Sequence, residues 1–448
     1  MKSAGGILEI IKRDGNLVPY DRDRISSAIF RAMASLGQGN RAQAEAFSED
    51  VERSLLEAYG AGAAPSVEEI QDIVEETLMT RGAPKIARAY IIYRNQRTQA
   101  RAARAYSFEA ADNIPYKKIY EVLRWNMDHG CDSISNLNAL IAGGHFLRLI
   151  RESDRRYEEE LDQCAGQILS ARGLIRLVII AGPSSSGKTT TTAKLVERLT
   201  SGGLGFKALN VDNYFFDLEQ HPKDEFGDHD YEAPQSLDLA LINEHLRALL
   251  AGKTIQAPRY DFKTGKRTLA VEPLRLGADE ILLLDSLHGL YRDMTESIPA
   301  EQKFRVYIET LGQLRAHDGA FMRWADHRLM RRMIRDSEQR NSRPETTLTH
   351  WHYVRRSELK NIIPFITTAD FLVNSALPYE IPILKHHVFR YFPEAIARYR
   401  QEASRQDAYI RAKRIYDFLG SLSEVADDTC VASDSLLREF IGGSRYET

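Results

Sequence analysis

"AGPSSSGKTTTT" (Ala181–Thr192) decides how the rest of the chain is read. It follows the apolar run "IRLVII" and leads into "AKLVERL", so it sits where a strand turns into a helix. Gly182, Gly187, Lys188 and Thr189 complete G-x-x-x-x-G-K-[ST], which in that setting is a phosphate-cradling loop. Its backbone N–H groups surround phosphate oxygens, and the positive end of the following helix favours their charge. The expected cradle comprises Gly182, Ser184, Ser185, Ser186, Gly187, Lys188, Thr189 and Thr190. Lys188 would bridge the terminal phosphates of ATP and the Thr189 hydroxyl would ligate Mg²⁺. As a group, the threonines from 190 to 192 read as first-turn helix surface rather than as further metal ligands.

Downstream, the strand-like runs "KALNV", "EILLLD", "FRVYIET" and "DFLVNS" alternate with helical stretches. Together with "IRLVII" they predict an α/β domain, a mostly parallel sheet flanked by helices. Asp212 in "LNVDNYFFD" ends the second predicted strand, at the edge where α/β sheets bind ligands. A carboxylate there can take a proton from an attacking hydroxyl or hold Mg²⁺ through water. Asp285 closes "ILLLD" as a metal or water ligand. The stretch "DHRLMRRMIRDSEQRNSR" puts arginines at 328, 331, 332, 335, 340 and 343 on one basic helix, with Leu329, Met330, Met333 and Ile334 as an apolar side. A nucleic-acid surface and a solvated face are both readings of such a helix. In a near-neutral chain a third prevails: a lid whose arginines close over transferring phosphates.

Upstream, residues 1 to about 105 open with a short hairpin: "ILEIIKR", the turn Asp14-Gly15, then "NLVPY". Ile25, Ala28, Ile29, Ala32, Met33 and Leu36 share a face at helical spacing. Ser66 and Glu69 form a capping box ahead of Ile70, Ile73 and Val74, and "PKIARAYIIYRNQR" is a last helix. The 106–172 stretch is mostly helical, with no catalytic motif. His129 beside Asp128 could suggest a metal or a base, but reads as a histidine at a helix end. Three regions are expected: 1–105, 106–172 and 173–448.

With 448 residues, the chain is long enough for two or three domains. Sixty Lys and Arg nearly cancel 63 Asp and Glu, which argues against a nucleic-acid or membrane protein as a whole. The three cysteines, Cys131, Cys164 and Cys430, form no C-x-x-C, so reduced intracellular thiols without zinc are expected. No apolar run approaches the roughly 18 residues of a membrane span, and "MKSAGGILEIIKRDG" lacks a signal-peptide core; a cytoplasmic protein is expected.

Seven pieces in order then carry a resemblance: "GPSSSGKTT", "VDNYFFD", "DYEAPQSLD", "PRYDF", "LLLDSLHGL", "DHRLMRRMIRD" and "VRRSELKNIIPF". Residues 173 to about 400 resemble the uridine kinase/phosphoribulokinase family of P-loop kinases. The resemblance implies Lys188 and Thr189 as phosphate and Mg²⁺ residues, and Asp212 as the carboxylate that activates a nucleoside 5′-hydroxyl. It implies a metal-associated role for Asp285 and a nucleoside site that includes Tyr214 and Tyr260. Arg332, Arg335 and Arg340 match lid arginines that touch nucleotide phosphates or the substrate. Two positions depart from the family pattern. Glu232 stands where an aspartate holds the ribose hydroxyls, and Gly265 stands where a histidine reads the pyrimidine edge.

The first 95 or so residues resemble the ATP-cone domain, through "IIKRDGNLVPYDRDRISSAIFRA" and "PSVEEIQDIVEETLMTRGAPKIARAYIIYR". That resemblance implies a regulatory site for ATP or dATP with Lys12 and Arg13 facing phosphates, and a homo-oligomer. The leading expectation is therefore an ATP- and Mg²⁺-dependent kinase of a nucleoside, regulated through the cone and coupled through 106–172. Two others stay open: a kinase of a sugar phosphate or phosphoglycerate, with Arg259, Lys263, Lys266 and Arg267 as anion contacts, and a nucleotide sensor without catalysis.

Overall fold

The computed structural model describes residues 7–12, 17–105, 113–222, 233–339 and 342–446. Arg13, Asp14-Gly15, Glu232 and Arg340 lie outside them. In chain order, β1 (Glu9–Ile11) and β2 (Leu17–Pro19) pair antiparallel, followed by α1 (Arg22–Ala34), α2 (Arg41–Tyr59), α3 (Val67–Thr80) and α4 (Pro84–Ala105). Next come α5 (Tyr116–Asp128), α6 (Ile134–Ala142) and α7 (Phe146–Ser170), then β3 (Leu177–Ala181), α8 (Lys188–Ser201), β4 (Gly205–Asn210) and α9 (Leu239–Leu250). The strands β5 (Ile255–Asp261), β6 (Lys266–Leu274), β7 (Glu280–Ser286) and β8 (Lys303–Glu309) precede α10 (Trp324–Gln339), α11 (Pro344–Asn361) and β9 (Phe371–Asn374). The chain closes with α12 (Glu380–Val388), α13 (Phe392–Tyr399), α14 (Gln406–Gly420) and the short α15 (Arg438–Ile441).

Two compact units result: Met1–Ala111 with Phe392–Arg414, and Asp112–Tyr391 with Ile415–Thr448. In the first, Ile25, Ile29, Ala32 and Met33 of α1 pack with Val51, Leu55, Val74 and Leu78 in one apolar core. Leu36, expected on the same face, is exposed, because α1 stops at Ala34 and Gly37 turns the chain away at φ +71°. Ser66 caps α3 as expected: its hydroxyl accepts from the Glu69 N–H, and the Glu69 carboxylate accepts from the Ser66 N–H. A fully buried guanidinium, Arg41, donates to Asp23, Ser26, Ser27 and Glu45 and lies over the Tyr409 ring. The segment Phe392–Arg414 thus shares this unit, a connection that no local pattern in the sequence announces.

The second unit is built on a five-stranded parallel sheet, ordered β4-β7-β3-β8-β9. These are the five strands the sequence predicts. Central β3 is buried at every residue and pairs Ile180 with Asp285 on one side and with Val306 on the other. This is the continuous apolar run that a strand covered on both faces requires. A separate antiparallel hairpin, β5–β6, carries a register shift between Ala257 and Arg259. The helices of 113–172 do not stand apart. Asn126 donates to the Gln313 carbonyl, Asp132 pairs with Arg315, and the Glu160 carboxylate accepts from the Asn374 N–H. Their apolar residues, such as Leu137, Leu149 and Leu161, are buried in this unit rather than in a core of their own. Among the described residues no helix is long and apolar enough to cross a membrane.

Candidate active site

The loop between β3 and α8 is held open by its glycines. A Cβ on Gly182 would meet the Ile308 carbonyl oxygen at 2.4 Å, and Gly187 adopts φ +88°. Ser185, with a side chain, is nevertheless at φ +59°. Such strain persists only where the surroundings over-determine it, and arginines of α10, two of them buried, provide that constraint. Arg328 donates to the Ser184 carbonyl at 3.0 Å, Arg331 to the Ser185 carbonyl at 3.4 Å, and Arg332 to the Ser184 hydroxyl at 2.8 Å.

Lys188 donates from Nζ to the Gly182 carbonyl at 3.0 Å, folding over its own loop. Burial lowers its pKa, opposed chiefly by Asp285 and more weakly by Asp212, while Arg335 adds to the lowering. The Asp212 side chain reaches solvent, yet the protein around it raises its carboxyl, with Lys188 opposing and Asp285 adding. Asp285 is raised by burial too, against Lys188 and a hydrogen bond from Thr192 at 3.0 Å. Lys188 therefore lies within electrostatic reach of Asp212, Asp285 and Arg335.

Around the cradle, the hydroxyls of Ser185, Ser186 and Thr190 are buried and have no protein partner. Buried polar atoms of that kind require one, and phosphate oxygens supply acceptors for all three. The exposed Thr189 hydroxyl and the Asp285 carboxylate are hard oxygen donors suited to Mg²⁺. Among the described residues no group of three His, Cys, Asp or Glu gathers, and a Mg²⁺ carried by substrate phosphates needs no such cage. The residues present fit ATP and Mg²⁺.

Two expectations need correction here. Thr190 and Thr191 are not helix surface: both are buried, and the Thr191 hydroxyl bonds to the Gly187 carbonyl and to the Tyr157 hydroxyl, each at 2.7 Å. Nor do all the α10 arginines form a lid face. Arg328 and Arg331 are fully buried, Arg328 against Glu309 and Glu358, Arg331 against Glu380. They hold the loop's shape, which leaves Arg332 and Arg335 as the half-buried arginines of α10; Arg343, expected on the same helix, instead caps the start of α11. The signal in the sequence was a lone glutamate in each of three largely apolar or helical stretches, "VYIET", "RSELKN" and "LPYEIPI".

On the other side of the site, Asn210 accepts from the Asp212 N–H at 3.0 Å and Asn213 from the Tyr260 N–H at 3.2 Å. This turn presents Asp212 and fixes Tyr260 beside it. Tyr214, expected at the substrate, points into the core instead: it is fully buried, its hydroxyl 2.7 Å from His245 Nδ1. The turn brings Phe215 rather than Tyr214 to Tyr260, their ring centroids 5.5 Å apart, with Phe262 5.0 Å from Tyr260. Gly265 turns the β5–β6 hairpin at φ +67°, and a Cβ there would meet Leu218 Cβ at 2.9 Å. A histidine there would be strained and would have to displace Leu218. In the first unit, Lys12 follows β1 and is exposed. His129 stacks on Trp125 at 3.8 Å and bonds its carbonyl as the cap of α5, the helix-end role expected of it.

Residues 177–380 match the Phosphoribulokinase / Uridine kinase family, and residues 8–99 match the ATP cone domain. A uridine kinase of Deinococcus deserti is 31% identical over 195 residues, 43% of this chain and 84% of that protein. A vitamin B12-dependent ribonucleoside-diphosphate reductase of Thermoplasma acidophilum is 39% identical over 100 residues, 21% of this chain but 12% of that enzyme. A solved chain described as a possible uridine kinase from Bacillus stearothermophilus superposes with a TM-score of 0.34 at 15% identity, over 48% of this chain and 98% of that one.

Proposed function

Because the chain belongs to the phosphoribulokinase/uridine kinase family of phosphotransferases and carries an ATP-cone region, we propose that it phosphorylates the 5′-hydroxyl of a nucleoside with ATP and Mg²⁺. The observation that carries the proposal is Asp212, presented by the Asn210 turn within reach of Lys188 and beside the Tyr260–Phe262 rings. Asp212 accepts the acceptor's proton. The protein around it raises its pKa, which makes it a stronger base than a free aspartate. Lys188, Arg332 and Arg335 hold the transferring phosphoryl and its developing charge. When bound, Mg²⁺ would supply further neutralisation, and Thr189 and Asp285 would hold it.

The charge around the hairpin favours a nucleoside over a phosphorylated acceptor. Lys266 pairs with Asp217 and Glu219, and Arg267 with Asp238 at 2.9 Å. Two of the four cations that an acceptor phosphate would use are thus engaged by carboxylates. The test is ATP consumption across ribo- and deoxyribonucleosides, sugar phosphates and phosphoglycerates, with Lys188→Ala as the blank. Turnover of one nucleoside, lost in the blank, supports the reading. Turnover only with a phosphorylated acceptor overturns the nucleoside, and ATP binding without turnover favours the sensor.

The ATP-cone match supports a second nucleotide site at Lys12, regulating activity and self-association. An effector acts only through unequal affinity for two states. Activity and sedimentation should both respond to ATP or dATP, and Lys12→Ala should blunt both responses.

A further inference from the structure

The first turn of α8 has a partner that no nucleotide site needs. A helix leaves its first N–H groups without intrahelical acceptors, and the first such bond here is from Thr191 to the Gly187 carbonyl. In a phosphate-cradling loop the donors before it belong to the phosphate chain. One of them is already used: the Thr190 N–H donates to the Glu439 carboxylate at 3.0 Å, across 249 residues of sequence.

Glu439 is delivered there by a well-anchored segment. Leu436, Leu437 and Phe440 are fully buried, and a Cβ on Gly187 would meet Leu436 Cδ1 at 2.7 Å. The guanidinium of Arg331, which holds the Ser185 carbonyl, sits 4.7 Å over the Phe440 ring. Ser435 bonds to the Tyr379 hydroxyl at 2.8 Å, and further along Tyr446 donates to Glu197 on the same α8. Thr190 and Glu197 are seven residues apart, about 10 Å along the helix axis, so the segment follows α8 from the cradle outward. Unlike Leu436, Leu437 and Phe440, Glu439 itself is only half-buried.

We propose that Glu439 is a donor-affinity determinant: its carboxylate occupies the phosphate position at Thr190 and must leave it before ATP binds. A single N–H cannot serve a carboxylate and a phosphate oxygen together, and two anions in one cradle repel. The buried apolar residues keep α15 docked, so it is the half-buried carboxylate that has to give way. The site therefore carries an internal competitor that lowers apparent affinity for the donor by the fraction of time it is seated. This inference rests on the kinase reading, since it takes the cradle as the donor site.

The test is calorimetric binding of MgATP to the full chain, with thermal melts as a folding control. Glu439→Ala should bind MgATP about tenfold more tightly. Glu439→Gln, which keeps an acceptor but loses the charge, should fall between it and wild type, and the nucleoside KM should not move. Unchanged or weaker binding in a folded Glu439→Ala protein, with wild-type binding intact and lost in Lys188→Ala, overturns the competitor and leaves the kinase standing. No MgATP binding by either folded protein overturns both.

Discussion

On the phosphate-loop side of the site, positions are enforced by buried charge: Arg328 and Arg331 clamp the loop carbonyls while Glu309, Glu358 and Glu380 neutralise them. On the acceptor side, around Asp212 and Tyr260, positions are enforced by asparagine-capped turns, ring packing and one left-handed glycine. The difference separates two tasks. A polyphosphate chain is the same in every kinase of this kind, and a rigid, pre-paid arrangement suits it. An acceptor differs from enzyme to enzyme, and rings on turns can be exchanged without touching the loop.

The largest effect should come where the two sides meet. Asp212→Asn should lower kcat by about 10²- to 10⁴-fold, the usual worth of a positioned general base, with ATP affinity nearly unchanged. The protein around Asp212 raises its carboxyl, so the wild-type rate should fall with acidification from above the ordinary aspartate range. The variant's residual rate should lack that limb. If ATP affinity collapses with kcat, Asp212 belongs to the donor side and the division drawn above fails.

Next in size is the buried clamp. Arg331→Met leaves Glu380 charged and fully buried, a loss of about 3–5 kcal/mol. Denaturant melts at neutral pH measure it. Burial would raise Glu380, but Arg331 and His327 together hold it at about 2. A depressed folded-state pKa contributes stability above the unfolded carboxylate pKa and loses it as pH falls. Wild type should therefore weaken from about pH 4.5 down toward 2, and the variant should weaken far less over that window. An acid-labile variant would show that the clamp is not what sets stability on the donor side.

A smaller effect is expected at Gly265→His, which restores the residue type of the related pyrimidine-reading site. With φ +67° and Leu218 in the way, the cost should be about 1–3 kcal/mol, read as a lowered melting temperature. Uridine preference should not appear. Gain of that preference in a stable variant would mean the acceptor side can be rewritten by one residue, contrary to a specificity set by the whole hairpin.

The sequence made the donor side legible where its chemistry is local. Gly182 to Thr190, the five strands and the carboxylates at their ends are short patterns with one physical meaning. It did not separate Arg328 and Arg331 from Arg332 and Arg335, because the partners that bury the first two, Glu358 and Glu380, lie 30 and 49 residues away. Tyr214 and Phe215 are adjacent aromatics, and only the tight turn at Val211–Tyr214 decides which one enters the core. The helices of 113–172 read as a connector because their burial partners, such as Gln313 and Asn374, come much later in the chain. Glu439 carried no signal at all. A glutamate on a short helix is ordinary until Thr190 is seen beside it.

The smallest effect belongs to a feature that the sequence predicts fully and that touches neither side of the site. Ser66→Ala removes the hydroxyl that accepts from Glu69 N–H at the start of α3, a loss of about 1 kcal/mol. Hydrogen exchange along α3 should speed by roughly fivefold, which is that energy converted through RT. Glu69 should lose part of what holds its carboxyl down, since its strongest support, the bond from the Ser66 backbone N–H, remains while the hydroxyl contact goes. Kinase turnover at saturating ATP and acceptor should be unchanged. A turnover loss matching that of the Arg331 variant would mean that a local cap in the first unit governs the site as strongly as the buried clamp does, and the distinction between enforced and exchangeable positions would have to be drawn elsewhere.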